Sequence, residues 1–259
     1  MARRTLAGAA IVVTGASSGI GRELALQLAA RGARLLLVAR REDRLRALVE
    51  QLSGQQAQAG YIAGDITEPQ LRDQVVKAAQ DQLGGIDVLI NNAGVGALGR
   101  FSAANESRLR RIFEVNFFAP VELIRICLPL LRQGRRPMIV NIGSVLGHRA
   151  VANKSEYCAS KFATHGFTDA LRCELAREGI DVLLVSPSTT ASEFFDNVID
   201  KRGSARSLRA MPAAKVARRT IRAIESGRHE IILSAGGKLL VWLDRLCPPL
   251  ADRILARFQ

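Results

Sequence analysis

The sequence predicts an α/β fold: a doubly wound, seven-stranded parallel sheet (a Rossmann fold) in a single domain with a C-terminal helical extension. Three observations carry this. Short apolar, β-branched runs alternate with longer segments of helical periodicity. The runs are apolar on both faces, as strands covered by helices on either side must be. The first run passes directly into a glycine-rich turn and then a helix-forming segment. With 259 residues the chain is long enough for one large core, and 48% hydrophobic residues with regular polar punctuation read as globular. No linker, repeat or low-complexity tract divides it.

Residues 10–14 are the first strand. Met1-Ala2-Arg3-Arg4 and the apolar run to Val13 imitate a signal peptide, but the turn that follows needs a strand before it. That turn reads Thr14-Gly15-Ala16-Ser17-Ser18-Gly19-Ile20-Gly21, one residue longer in its first gap than the general dinucleotide fingerprint. Glycines let the backbone approach a pyrophosphate, and the positive end of the next helix receives its charge. Gly15, Ser17, Ser18, Gly19, Ile20 and Gly21 are therefore cofactor-binding candidates.

The second strand, 34–39, ends Val38-Ala39-Arg40-Arg41. An NAD site places a carboxylate here to accept the ribose hydroxyls, whereas two guanidiniums suit a 2′-phosphate. The expected cofactor is NADP(H), with Arg40 as its main contact; the alternative is that Arg40 and Arg41 only open the solvated helix that follows. The third strand, 57–63, leads to Asp65-Ile66, where Asp65 either accepts from an adenine amino group or caps a helix beside Thr67 and Pro69. The fourth strand is 88–91 and the fifth 138–142, with 182–186 and 230–234 the sixth and seventh. Between them lie helical segments such as those marked by Leu24 and Leu28, Leu45, Leu48 and Leu52, or Leu123 and Ile126. In such sheets ligands sit at the carboxyl ends of the strands, where the winding reverses.

Just past the fifth strand is Ser144, and beyond it come Tyr157 and Lys161, four apart and so on one face of a predicted helix. A phenol with a pKa near ~10 is a poor acid at neutral pH, but a neighbouring ammonium favours its phenolate. Ser144 could donate a hydrogen bond to a carbonyl oxygen while Tyr157 protonates it as hydride reaches the carbon.

The chain resembles the short-chain dehydrogenase/reductase family, single-domain type, over nearly its whole length. The residues that carry the resemblance are Thr14 to Gly21, Asn91-Asn92-Ala93-Gly94, Asn116, Ser144, Tyr157 and Lys161. The resemblance implies a catalytic tetrad of Asn116, Ser144, Tyr157 and Lys161. Tyr157 would exchange the proton and Ser144 orient the carbonyl. Lys161 would hold the nicotinamide ribose and lower the tyrosine pKa, and Asn116, at a helix irregularity, would hold a water linking Lys161 to solvent. It further implies that Asn92, Ala93 and Gly94 lie beside the cofactor riboses. A basic residue at Arg40 marks NADP preference in this family, whereas Ser18 stands where its NADP-dependent members often carry a second one.

At Pro187-Ser188-Thr189-Thr190 the family's Pro-Gly is replaced by Pro-Ser, so a positive φ at Ser188 would be strained by about 1 kcal/mol. Pro187 belongs to the cofactor-binding set, and Thr190 and Ser192 are the expected carboxamide contacts. A substrate lid is expected near 190–210; its Phe194 and Phe195, with Val95, Val145, Leu146 and Val151, favour an apolar substrate. His148 is read as structural rather than as a substrate contact. Residues 1–235 form the catalytic domain and 236–259 an amphipathic helical tail with a proline break at Pro248-Pro249. Trp242 with Lys238, Arg245, Arg253 and Arg257 would suit a membrane interface; packing on a subunit or on the pocket is the plainer reading.

The net charge of +13 comes from 37 basic and 24 acidic residues, dispersed in pairs; without a recognition motif and with 5% aromatics, nucleic-acid binding is not expected. Cys127, Cys158, Cys173 and Cys247 lack metal-ligand spacing and are expected to be reduced thiols, with no metal bound and a cytoplasmic location, peripheral to membrane if the tail binds it. A homodimer or homotetramer is expected through Leu123, Ile126, Leu130, Phe162, Phe167 and Leu171. The expected activity is hydride transfer between NADP(H) and a carbonyl or secondary alcohol of an apolar substrate. The alternatives are a same-fold epimerase or dehydratase, a non-catalytic NADP-binding regulator, and a membrane-associated interaction protein.

Overall fold

Alternation within the strands sets the layers. Ile11 and Val13 face one apolar core and Ala10 and Val12 the other; Leu35 and Leu37 join the first, Leu36 and Val38 the second. A strand apolar on both faces needs cover on both. The computed structural model, which describes residues 3–191, 198–199 and 210–256, supplies it.

Strands β1 (Ala10–Thr14), β2 (Arg34–Ala39), β3 (Ala59–Ala63), β4 (Val88–Asn91), β5 (Met138–Ile142), β6 (Asp181–Ser186) and β7 (Glu230–Ile232) form one parallel sheet, ordered β3-β2-β1-β4-β5-β6-β7. Helices α1 (Gly19–Ala29), α2 (Glu42–Ser53) and α7 (Ala213–Glu225) pack on one face through residues such as Leu24, Leu45 and Ile221. Helices α3 (Pro69–Ala78), α5 (Ala119–Leu131) and α6 (Ser155–Leu175) cover the other through Val75, Leu123 and Leu171. Helix α4 (Glu106–Phe113) runs into α5 through a π-helical turn, Glu114–Phe118. Two C-terminal helices follow β7: α8 (Ala235–Leu246) and α9 (Pro248–Ala256).

Three strand ends differ from those predicted, each for a local reason. β3 starts two residues late because the Ala57 amide closes the end of α2 on the Leu52 carbonyl (3.1 Å). β7 stops at Ile232 because Ser234 caps α8, its Oγ accepting from the Gly237 amide at 2.9 Å. β6 gains Asp181, whose amide donates to the Pro137 carbonyl at 3.0 Å and whose carboxylate accepts from Arg4 at 2.7 Å. Arg4 is itself buried and also donates to the carbonyls of Arg136 and Ile224, so the basic N-terminal segment is built into the fold.

Two short parallel pairings lie outside the main sheet: Gly96–Ala97 with Val198–Ile199, and Thr190–Ala191 with Met211–Pro212. They tie down parts of the segment expected to form the lid; Ser192, Phe194 and Phe195 lie outside the described residues. All four cysteines are free thiols. No helix among the described residues is long and apolar enough to cross a membrane.

Candidate active site

The winding reverses between β1 and β4, and there the glycine turn meets Asn92-Ala93-Gly94. Gly15 has φ +67°, and a Cβ on it would stand 2.9 Å from the Ala93 Cα; a Cβ on Gly21 would collide with the Gly15 carbonyl oxygen. Thr14 Oγ1 accepts from the amides of Asn92 and Ala93, both at 3.0 Å. The Asn92 side-chain amide in turn donates to the carbonyls of Thr14 (2.9 Å) and Gly15 (3.2 Å). Asn92 thus stitches the two strand ends together. The Thr14 hydroxyl is a contributor that the sequence reading quoted only as part of the motif.

A cavity of about 530 Å³ opens along these strand ends. Gly15, Ser17, Ser18, Gly19 and Ile20 line one part of it, then Arg40, Asp65 and Ile66, then Asn92, Ala93 and Gly94. Ser144, Tyr157 and Lys161 line another part, with Pro187 and Thr190. Among the described residues, two of those predicted from sequence are not in the wall: Gly21, which sits behind the turn, and Asn116.

Past β2, it is Arg41 that reaches back to the turn. Its Nη2 donates to Ser18 Oγ at 2.7 Å, and both Nε and Nη2 approach Ser17 Oγ at 3.3 Å, while Arg40 lies exposed at the cavity edge. Asp65 accepts from the amide and hydroxyl of Thr67 (3.0 and 2.8 Å) and from Arg111 at 2.6 Å. Burial pushes its carboxyl up, but the Arg111 and Thr67 bonds outweigh that and hold it below the ordinary range.

Tyr157 and Lys161 project from the first turns of α6, with the Lys161 ammonium 5.8 Å from the centre of the Tyr157 ring. Ser144, at the end of β5, hydrogen-bonds Tyr157, and its Oγ accepts from the Leu146 amide at 3.1 Å. Lys161 donates to the Ile142 carbonyl at 3.0 Å. Burial pushes the Tyr157 phenol up to about 12, against the Ser144 bond that lowers it, and pushes the Lys161 ammonium down to about 8. The phenol is therefore a proton donor, not a phenolate, at neutral pH.

Asn116 lies within the π-helical turn and is buried. Its Oδ1 accepts from the Val95 amide (2.8 Å), and its Nδ2 donates to the Val95 carbonyl and to Ser160 Oγ, both at 3.0 Å. Ser160 passes the link on, donating to the Tyr157 carbonyl at 2.8 Å. The Asn116 side chain thus ties the segment after Gly94 to α6, and its own backbone carbonyl accepts from Thr164 Oγ1 at 3.3 Å. One residue before Tyr157, Glu156 pairs with Arg108 of α4 at 2.6 Å, each side chain only 2% exposed. Burial raises the Glu156 carboxyl, but the bonds from Arg108 and Ser155 hold it below its usual range. Neither Ser160 nor this pair was read from the sequence, since only the fold brings Arg108 and Glu156 together.

Ser188 does not have a positive φ, so serine in place of the family's glycine is not strained there. His148 is buried against Ser186, its Nε2 2.8 Å from that Oγ, and outside the cavity wall. His148, His165 and Glu230 bring potential ligand atoms within 4.8 Å of one another, but His165 Nδ1 is engaged by the Gly147 carbonyl at 3.1 Å. Of the expected subunit contacts, Leu123 and Leu171 are buried in the protomer's own core.

Comparison with known proteins gives the family. A sequence model of the short chain dehydrogenase family fits residues 9–203. The chain is 31% identical to the dehydrogenase/reductase SDR family member 7B of Xenopus laevis, over 97% of this chain and 82% of the relative. It is 33% identical to the ketoacyl reductase HetN of a Nostoc species, over 98% of this chain and 90% of that one. A crystal structure of a short chain dehydrogenase/reductase from Burkholderia phymatum in complex with NAD superposes with a TM-score of 0.86 at 26% identity, covering 95% of this chain and 96% of the other.

Proposed function

The chain belongs to the short-chain dehydrogenase family of nicotinamide-dependent oxidoreductases, and from that premise we propose that it uses NADP(H) to interconvert a carbonyl and an alcohol on an apolar substrate. The observation that carries the reading is the convergence of Ser144, Tyr157 and Lys161 on the cavity that begins at the glycine turn.

The cavity fits a dinucleotide on its own terms. Gly15, at φ +67° with no room for a Cβ against Ala93, folds the turn so that Ser17, Ser18, Gly19 and Ile20 line the cavity at the start of α1, where main-chain amides and the helix dipole favour a pyrophosphate. Arg40 and Arg41 would hold a 2′-phosphate, because the chain reads Ala39-Arg40-Arg41 where an NAD site needs a carboxylate. Asp65 and Ile66 would flank the adenine, and Asn92, Ala93, Gly94 and Lys161 the riboses, with Pro187, Thr190 and Ser192 toward the carboxamide. When bound, the reduced nicotinamide supplies the hydride. Ser144 would fix the carbonyl oxygen, and Tyr157 would pass its phenolic proton to that oxygen as the carbon is reduced; the reverse direction returns the proton to Tyr157. Lys161, one donor spent on Ile142, would stabilise the phenolate that forms. Asn116 acts as a positioning residue through Ser160. Val95, Val145, Leu146, Val151 and Leu240 give the remaining wall its apolar character.

Assembly as a homodimer or homotetramer belongs to the same proposal. Phe118 and Phe162, both exposed on the α5 and α6 side, replace Leu123 and Leu171 as its apolar contacts.

Thermal stabilisation by NADPH and by NADH tests the cofactor choice. NADPH is expected to bind more tightly, and Arg40→Asp with Arg41→Ser should weaken it by about 1.5–3 kcal/mol, roughly tenfold or more, without weakening NADH. Tighter binding of NADH by the unaltered protein would overturn the preference and align it with the NAD-bound Burkholderia relative.

A further inference from the structure

Helix α8 has two working faces. Inward, Gly236, Gly237 and Leu240 form part of the cavity wall, and a Cβ on Gly237 would stand 2.7 Å from Cγ2 of Val145, the residue after Ser144. Outward, Leu239, Trp242 and Leu246 are 69%, 58% and 78% exposed, at the three- and four-residue spacing of one helical stripe. Leu250 and Ile254 extend an exposed apolar surface along α9. Of the nine large apolar side chains exposed among the described residues, five belong to these two short helices.

The charges around the stripe are sorted. Arg149 draws both tail carboxylates, Asp244 (2.6 Å) and Asp252, to the turn that follows Ser144. Lys238 and Arg245 lie along one side of the stripe on α8, and Arg253 is exposed on α9. Leucines around a central tryptophan with a cationic border match a helix lying in a bilayer interface, its apolar face among the headgroups and its cations on anionic lipid. A second copy of the chain fits less well: a two-fold contact through the stripe would bring the Lys238 and Arg245 cations of the two copies together while Arg149 holds the acids.

We propose that α8 and α9 dock this protein on an anionic lipid surface, and that apolar substrate passes from the bilayer into the cavity across α8. The docking stands by itself; the entry route rests on the carbonyl-reductase reading.

The test uses the full chain with phosphatidylcholine vesicles, with and without phosphatidylserine. Trp242 is the sole tryptophan, so its emission reports the stripe directly. Anionic vesicles should shift that emission to shorter wavelength and carry the protein down on centrifugation, neutral ones much less. Leu239→Ser with Leu246→Glu should abolish both effects and leave NADPH-induced stabilisation unchanged. For a bilayer-dissolved ketone, that variant's KM should rise severalfold while its rate on a water-soluble ketone stays constant. Emission indifferent to both vesicle types would overturn the docking, as would a dimer in solution that the double variant dissociates. Equal loss on both ketones would overturn the entry route. Vesicle binding by a protein that turns over no ketone would keep the docking and refute the site reading alone.

Discussion

Burial shifts Tyr157 and Lys161 toward their neutral forms: the phenol is kept protonated to about 12, and the ammonium is weakened to about 8 while remaining the main form at neutral pH. The chain has two tyrosines, Tyr61 and Tyr157, so the ultraviolet ionisation of Tyr157 is the difference between the unaltered protein and Tyr157→Phe. That difference should be flat up to pH ~10, where an ordinary phenol is already half ionised. A midpoint near 7 would mean that the ammonium outweighs burial even in the empty cavity. Lys161 has a depressed folded pKa, so the unfolded chain binds the extra proton between about 8 and the ordinary 10.5. Stability therefore rises with pH through that window. In urea melts the unaltered protein should gain on Lys161→Met as pH climbs from 8 toward 10.5, whereas a constant gap would mean an unperturbed lysine. At this scale Ser144, Tyr157 and Lys161 were legible in the sequence because their spacing is set by one strand end and one helix. Ser160 was not, because its meaning comes from Asn116, 44 positions away.

The π-helical turn Glu114–Phe118 interrupts the crossover between α4 and α5 and places Asn116 against α6. On the other side of that turn, the Arg108–Glu156 pair joins α4 to the start of α6. Because both ions are buried, Arg108→Ala leaves a carboxylate without its partner and should cost about 3–5 kcal/mol. Thermal melts check this, and a loss below ~1 kcal/mol would class the pair with surface salt bridges. The Glu156 carboxyl is held below its usual range, so its contribution is present above the unfolded pKa and fades as pH falls through the folded one. Glu156→Gln should accordingly lag the unaltered protein at neutral pH and approach it in acid. The seven strands were legible as apolar runs; two of the three errors fall where a helix end or cap claims a residue, as Ala57 and Ser234 do, and the third where Arg4 and Pro137 draw the polar Asp181 into β6. The π turn left no mark in the apolar periodicity, because Ile112 and Val115 continue it through the break.

Seen whole, the molecule puts its chemistry between β1, β4 and β5 and walls one side of the cavity with the C-terminal helix α8. The tail was legible as amphipathic, but which face it buries depends on Val145 and Arg149, far away in sequence. Subunit contacts were less legible, since the periodicity that places Leu123 and Leu171 on apolar faces does not separate a protomer's core from an interface. Sizing with light scattering should give a dimer or tetramer at micromolar concentration, dissociated by Phe162→Glu; a monomer would contradict the assembly.

The measurement that bears most directly on the chemistry compares Tyr157→Phe with the unaltered protein, following NADPH-dependent reduction of a series of apolar ketones and, separately, NADPH affinity. Removing one hydroxyl should cost on the order of 10²–10⁴ in turnover, the range expected of a positioned proton donor, while affinity changes little. Turnover that survives the substitution would mean that another group delivers the proton, and that the Ser144, Tyr157 and Lys161 constellation is not the reacting centre.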